Sequence, residues 1–125
     1  SIAQWGALAA VQGSSEHLRA MCDEYSTRRS ILLAALTGIP GIHPFTPRGA
    51  FYVWVEMEPS ALRRLGVTDA AELSDRLAGV GIGSAPGDAF GETCANAIRF
   101  AYSCDTEMVR DGSRLLRAAL SEGLS

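Results

Sequence analysis

Apolar positions first recur at helical spacing, with Trp5, Leu8 and Val11 inside an Ala- and Leu-rich run from Ile2 to Gln12. That period predicts a helix, and Gly13 ends it. Ser14 or Ser15 then caps a second, longer helix, with Glu16 and His17 in its first turn and its end near Thr37. Leu18, Met21, Cys22, Tyr25, Ile31, Leu32, Ala35 and Leu36 form its apolar side, and Arg19, Asp23, Glu24, Arg28 and Arg29 its solvated side. Gly38 and Pro40 stop it, and the stretch from Gly38 to Arg48 reads as turns.

At Ala50 the period changes. Ala50 to Met57 is rich in β-branched and aromatic residues, which predicts a strand. It is apolar on both faces, so it is expected to be central or covered on both sides. Pro59 to Leu65 predicts a short helix. Thr68 is the expected cap of another, with Glu72 near a capping-box position, Leu73, Leu77 and Val80 inward, and an end near Gly79. Gly81 to Ala85 reads as a short extended piece, Pro86 to Glu92 as a loop, and Ala97 to Ser103 as the second clear strand. Asp105 or Thr106 caps a last helix to about Ser121, with Met108, Val109, Leu115, Leu116 and Leu120 inward. The order α-α-β-α-β-β-α predicts an α/β (α+β) domain: a small antiparallel or mixed sheet, one face covered by helices.

Composition narrows the function. The 125 residues are 47% hydrophobic and 20% charged, as in ordinary globular domains. All 11 basic residues are arginines, and the formal charge is -3. Only Arg28-Arg29 and Arg63-Arg64 are adjacent, so nothing resembles a basic stripe for nucleic acid. No apolar run approaches the ~20 residues that span a bilayer. Cys22, Cys94 and Cys104 have no metal-ligand spacing and are expected to be reduced thiols in a cytoplasmic protein. The chain enters its first helix with neither a leader nor a starting methionine, which reads as a fragment or a processed chain. It contains no lysine, so it offers no amine for a Schiff base with a carbonyl cofactor.

The strand Ile98-Arg99-Phe100-Ala101-Tyr102-Ser103 carries the most chemistry. Alternation puts Ile98, Phe100 and Tyr102 on a core face and Ala97, Arg99, Ala101 and Ser103 on the other. Small neighbours leave room above the guanidinium, whose planar fork suits a carboxylate. The competing reading is an edge arginine paired with an internal acid such as Glu56. The loop Ala85-Pro86-Gly87-Asp88-Ala89-Phe90-Gly91 and the segment Pro47 to Tyr52 are weaker candidates, either of which is equally a plain turn. His17 and His43 read as structural, and no nucleophilic triad is indicated.

Together, Pro47-Arg48-Gly49-Ala50-Phe51-Tyr52-Val53-Trp54, Ala85-Pro86-Gly87-Asp88-Ala89-Phe90-Gly91, Ile98-Arg99-Phe100-Ala101-Tyr102-Ser103 and the helix through Arg114-Leu115-Leu116 resemble the class I/II aminotransferases of the aspartate aminotransferase kind. Ser1 to Ala10 also resembles the family, in the helix after its cofactor-lysine region. The resemblance implies a remnant helix of the large domain over 1–13 and the C-terminal small domain over 14–125. It implies that Arg99 binds the α-carboxylate of an amino acid or 2-oxo acid. Phe51, Tyr52, Gly87 and Phe90 would then lie at the active-site mouth. Pyridoxal phosphate (PLP) is implied for the parent enzyme only. Its lysine, ring partner and phosphate-binding groups would fall before Ser1, so neither catalytic nor cofactor-binding residues are expected in this chain.

Three readings stay open on the sequence. The chain is the C-terminal part of an aminotransferase whose N-terminal portion is absent or on a companion chain. It is a stand-alone lysine-free domain, either a binding or partner subunit or a PLP-independent enzyme reusing the carboxylate site. Or it is an association module whose exposed Trp5, Leu8 and Val11 favour a homo-oligomer.

Overall fold

Residues 1–123 are described by a computed structural model, in which alternation and helical period resolve into five α-helices and one four-stranded sheet. Helix α1 (Ile2–Gln12) starts with a capping box between Ser1 and Gln4 and buries none of its residues; Trp5 is 72% exposed. Helix α2 (Glu16–Leu36) buries only Leu32, Ala35 and Leu36, near its C-terminal end, so Leu18, Met21 and Cys22 are apolar positions left in solvent.

The stretch read as turns contains a strand. Strand β1 (Ile42–Pro44) pairs antiparallel with β2 (Tyr52–Met57), Ile42 opposite Met57. Three residues with a proline give little period to read; pairing with β2 supplies the order. Helices α3 (Pro59–Leu65) and α4 (Ala70–Gly79) follow. The cap of α4 is Asp69 and not Thr68. Its carboxylate accepts the Glu72 N–H at 2.9 Å, while Glu72 reaches back to the Thr68 N–H at 2.8 Å. The two halves of the box thus fall on neighbouring residues. Val80, expected inward, is 39% exposed.

Of the extended piece, only the end is strand: β3 (Ala85–Pro86) pairs with β4 (Ala97–Ala101), Ala85 opposite Arg99. The loop between them winds into two short 3-10 turns, Gly87–Phe90 and Glu92–Cys94. β4 stops at Ala101, two residues earlier than expected. Helix α5 (Thr106–Glu122) is capped by Asp105, whose carboxylate accepts the Met108 N–H at 3.0 Å. It packs on α2 through Val109, Leu116, Ala119 and Leu120, whereas Met108 and Leu115 face solvent. Arg117 of α5 donates to the Ala35 carbonyl of α2 at 2.9 Å, satisfying an oxygen that the helix end leaves unpaired.

Strand order is β1-β2-β4-β3, all antiparallel, so β2 and β4 are central. One face, carrying Val53, Val55, Met57, Ile98 and Phe100, joins a single core with Leu36, Leu62, Leu73, Leu77, Leu116 and Leu120. The other face is not roofed by any helix: Tyr52 and Trp54 are half-buried and Glu56 is exposed. Of the two expectations for β2, central or covered on both sides, the first holds: it lies between β1 and β4 with its second face open. Its second apolar row is aromatic because it lines a surface.

Candidate functional site

The unroofed face holds the arginine. Register places Arg99 directly opposite Trp54 on one side and Ala85 on the other, with Ala101 opposite Tyr52. The guanidinium carbon lies 5.1 Å from the ring centre of Tyr52 and 4.9 Å from that of Phe90. Phe90 in turn meets Trp54 edge to face, with centroids 5.6 Å apart and planes at 80°. Two aromatic faces restrain the guanidinium without using its N–H donors, each contact contributing roughly 0.5–1 kcal/mol at a site of this exposure.

Those donors are free. Arg99 is half-buried, yet among the described residues it makes neither an ion pair nor a hydrogen bond. The other partly sheltered arginines are engaged: Arg28 with Glu24 and Arg29 with the Pro47 carbonyl. The alternative of an edge arginine paired with Glu56 fails on both counts, because β4 is central and no such pair forms. A cation held in position with its donors unspent is chemically a receptor for a planar anion.

Of the expected mouth residues, the structure brings Tyr52 and Phe90 onto Arg99. Phe51 sits one step away, edge-on to Tyr52 at 6.1 Å. Gly87 is buried where the Phe90 loop leaves β3. A Cβ there would fall 2.1 Å from the Cys94 carbonyl oxygen and 2.7 Å from that of Ala97, so only glycine admits this approach. Trp54 was not singled out from the sequence. Its two-residue offset from Tyr52 was visible, but its place opposite Arg99 follows only from the register. Beyond Trp54 the face continues into a hollow of about 300 Å³ lined by Glu56, Thr93 and Asn96.

His43 bonds Glu58 at 2.9 Å, both exposed, and the bond holds the Glu58 carboxyl below its ordinary range. The three cysteines are unpaired, and among the described residues no three His, Cys, Asp or Glu side chains cluster as a metal site. No described helix is long and apolar enough to cross a membrane.

A small four-stranded antiparallel sheet packed by helices is the architecture of an aminotransferase domain. The sequence model for aminotransferase class I and II matches residues 1–114, and the chain belongs to that family. It is 31% identical over 117 residues to a probable aspartate aminotransferase of Methanocaldococcus jannaschii, covering 94% of this chain and 29% of that protein. It is 33% identical over 114 residues to an LL-diaminopimelate aminotransferase of Syntrophobacter fumaroxidans, covering 91% and 28%. The fold is that of an alanine aminotransferase from Pyrococcus furiosus, with TM-score 0.82, 23% identity, and 96% of this chain on 30% of that one. A Thermus thermophilus aspartate aminotransferase mutant complexed with tryptophan matches with TM-score 0.74 and 28% identity, over 93% and 29%. The chain thus spans about 30% of the length of these relatives.

Proposed function

We propose that this chain contributes the substrate-carboxylate site of a PLP-dependent aminotransferase, with Arg99 as the residue that binds it. The supporting observation is the free guanidinium clamped between Tyr52 and Phe90 on a central strand. Two N–H donors on one edge of the guanidinium meet both oxygens of a carboxylate, which fixes the orientation of the α-carbon as well as its position. Tyr52 and Phe90 keep the fork from swinging, and Trp54 backs Phe90. Phe51 and Gly87 contribute at the mouth, Phe51 by packing on Tyr52 and Gly87 by setting the loop that carries Phe90.

The family is PLP-dependent; the cofactor supplies the electron sink for amino-group transfer. The residues of this chain do not fit as its covalent holder. The sequence has no lysine, and a guanidinium stays protonated near neutral pH. In this reading that holder lies in the remaining two thirds of the enzyme or on a companion chain. Residues 1–13 then belong with the large domain, and the bare apolar side of α1 is where the rest of the enzyme or a second copy packs.

The test is a titration of the 125-residue chain with pyruvate, followed by NMR of the Arg99 side chain and the Trp54 indole. Saturable shifts at both are expected in the wild type, with the Trp54 shift lost in Arg99→Gln and weakened in Arg99→Lys. Shifts of the same size in Arg99→Gln would sink the assignment.

A further inference from the structure

A second cavity, lined by Phe51 but not by Arg99, carries a different signature. It has a volume of about 460 Å³ and lies between α2 and the loop that enters β2. Tyr25, Phe51, Tyr102 and Met21 form its apolar walls, and Arg29 and Arg48 supply two guanidinium groups; no carboxylate lines it. In a chain of formal charge -3, two cations without an anion are a local reversal. Of the nearby acids on α2, Glu24 is paired with Arg28 at 2.7 Å, and Asp23, next to Cys22, carries no ion pair among the described residues but does not line the cavity.

The cavity is built. Arg29 is fixed by donating to the Pro47 carbonyl at 3.0 Å, which leaves its other N–H groups unassigned. Arg48 is exposed and has no hydrogen-bond or ion-pair partner among the described residues. Tyr102 donates to the Ala50 carbonyl at 3.3 Å, and its ring meets Tyr25 edge-on at 6.2 Å, forming the floor. Ala50 is held at φ 61°, a left-handed conformation in which, among the described residues, only glycines otherwise appear. Such a conformation costs of order 1–3 kcal/mol and concentrates at ligand clamps.

We infer that this cavity binds a small aromatic or arylalkyl carboxylate, its ring between Tyr25 and Phe51 and its carboxylate on Arg48 and Arg29. The volume falls in the about 300–1,000 Å³ range of small-molecule sites, and apolar walls with a few convergent polar groups are their usual make-up. Aromatic walls favour an aryl group, and planar guanidiniums favour a carboxylate over a spherical anion. Phe51 packs on Tyr52, and Tyr52 on Arg99. An occupant of this cavity therefore touches the residue next to the clamp without touching Arg99. The inference does not depend on the role proposed for Arg99.

The experiment titrates the 125-residue chain with phenylpropionate, reading backbone amide shifts, beside phenylpropanol as a neutral control. Saturable shifts at Cys22, Gly49 and Phe51 are expected, with phenylpropanol binding about tenfold more weakly. Arg48→Gln, a surface change that breaks no contact of the fold, is expected to weaken phenylpropionate by up to about fivefold. Arg29→Gln weakens it further, and Arg99→Gln leaves it unchanged. Absence of saturation, equal binding of phenylpropanol, or loss of binding in Arg99→Gln overturns the inference. So does a blocked Leu-Glu-Phe peptide that saturates these residues where phenylpropionate does not, since the cavity is then a polypeptide dock. Failure of pyruvate to bind at Arg99 touches none of these outcomes.

Discussion

On one face of the sheet, Val53, Val55, Ile98 and Phe100 are each at most 3% exposed and belong to a core shared with α2, α3, α4 and α5. On the other, one residue away along the same two strands, Tyr52, Trp54 and Arg99 stand half-buried with no helix over them. The first face is apolar, so it stabilises by removing surface from water at roughly 25 cal/mol per Å². The second keeps Arg99 and the rings of Tyr52 and Trp54 near the surface, with Phe90 of the loop packed on them, where packing returns less. Stability and chemistry are thus separated by the two-residue period of the strand, and a substitution should reveal which face it falls on.

The largest effect is expected on the buried face. Phe100→Ala removes a core ring and should lower the unfolding free energy by about 3–5 kcal/mol in urea melts. Trp54→Ala, on the neighbouring strand but on the open face, should cost far less. If the two variants lose equal stability, the faces are not energetically distinct.

Gly87→Ala comes next. Its Cβ would collide with the carbonyl oxygens of Cys94 and Ala97, at 2.1 Å and 2.7 Å, and backbone cannot rotate away as a side chain can. A loss of about 1–3 kcal/mol is expected, as for overpacking. A shift of the Phe90 ring resonances should accompany it, because this loop carries Phe90 onto Arg99. Wild-type melting with unmoved Phe90 signals would show that the loop is not fixed by this approach.

On the open face, Arg99→Gln should change stability by less than about 1 kcal/mol, since only two exposed cation–π contacts are lost. Pyruvate binding should nevertheless disappear. A variant that binds as before yet melts much lower would invert the comparison and make Arg99 structural.

How far this division was legible depends on the residue. The alternation of Ile98-Arg99-Phe100-Ala101-Tyr102 placed Arg99 away from the core, because strand geometry is local. The boundaries of α1, α3 and α5 were likewise written in Gly13, Pro59 and Asp105. What local patterns lacked was pairing. Strand β1 is three residues whose order comes from β2, and Trp54 joins the site only through its register with Arg99. The same absence left β2 open between central and covered on both sides, since aromatic residues at an open site and apolar residues in a core look alike one strand at a time. On α5, Leu115 looked as inward as Leu116; only the position of α2 chose between them.

The smallest expected effect concerns surface acids far from the arginine clamp. Glu72 accepts the Thr68 N–H at 2.8 Å and pairs with Arg76 at 2.6 Å, and these bonds, the backbone one foremost, hold its carboxyl below the ordinary range. A carboxyl lowered by folding contributes stability that is complete above its unfolded value of about 4.3. The contribution is lost as pH falls through the lower folded value. The start of α4 should therefore loosen in acid, whereas Glu72→Gln, which keeps an acceptor but cannot titrate, removes that part of the slope. Melting curves of the two proteins between about pH 6 and pH 3 should converge toward the acid end. Parallel curves would mean that the box at Thr68, Asp69 and Glu72 is not held by the carboxylate. Because α4 packs its Leu73 and Leu77 into the roofed face, convergence would also show that the stability of that face is coupled to the Glu72 carboxylate.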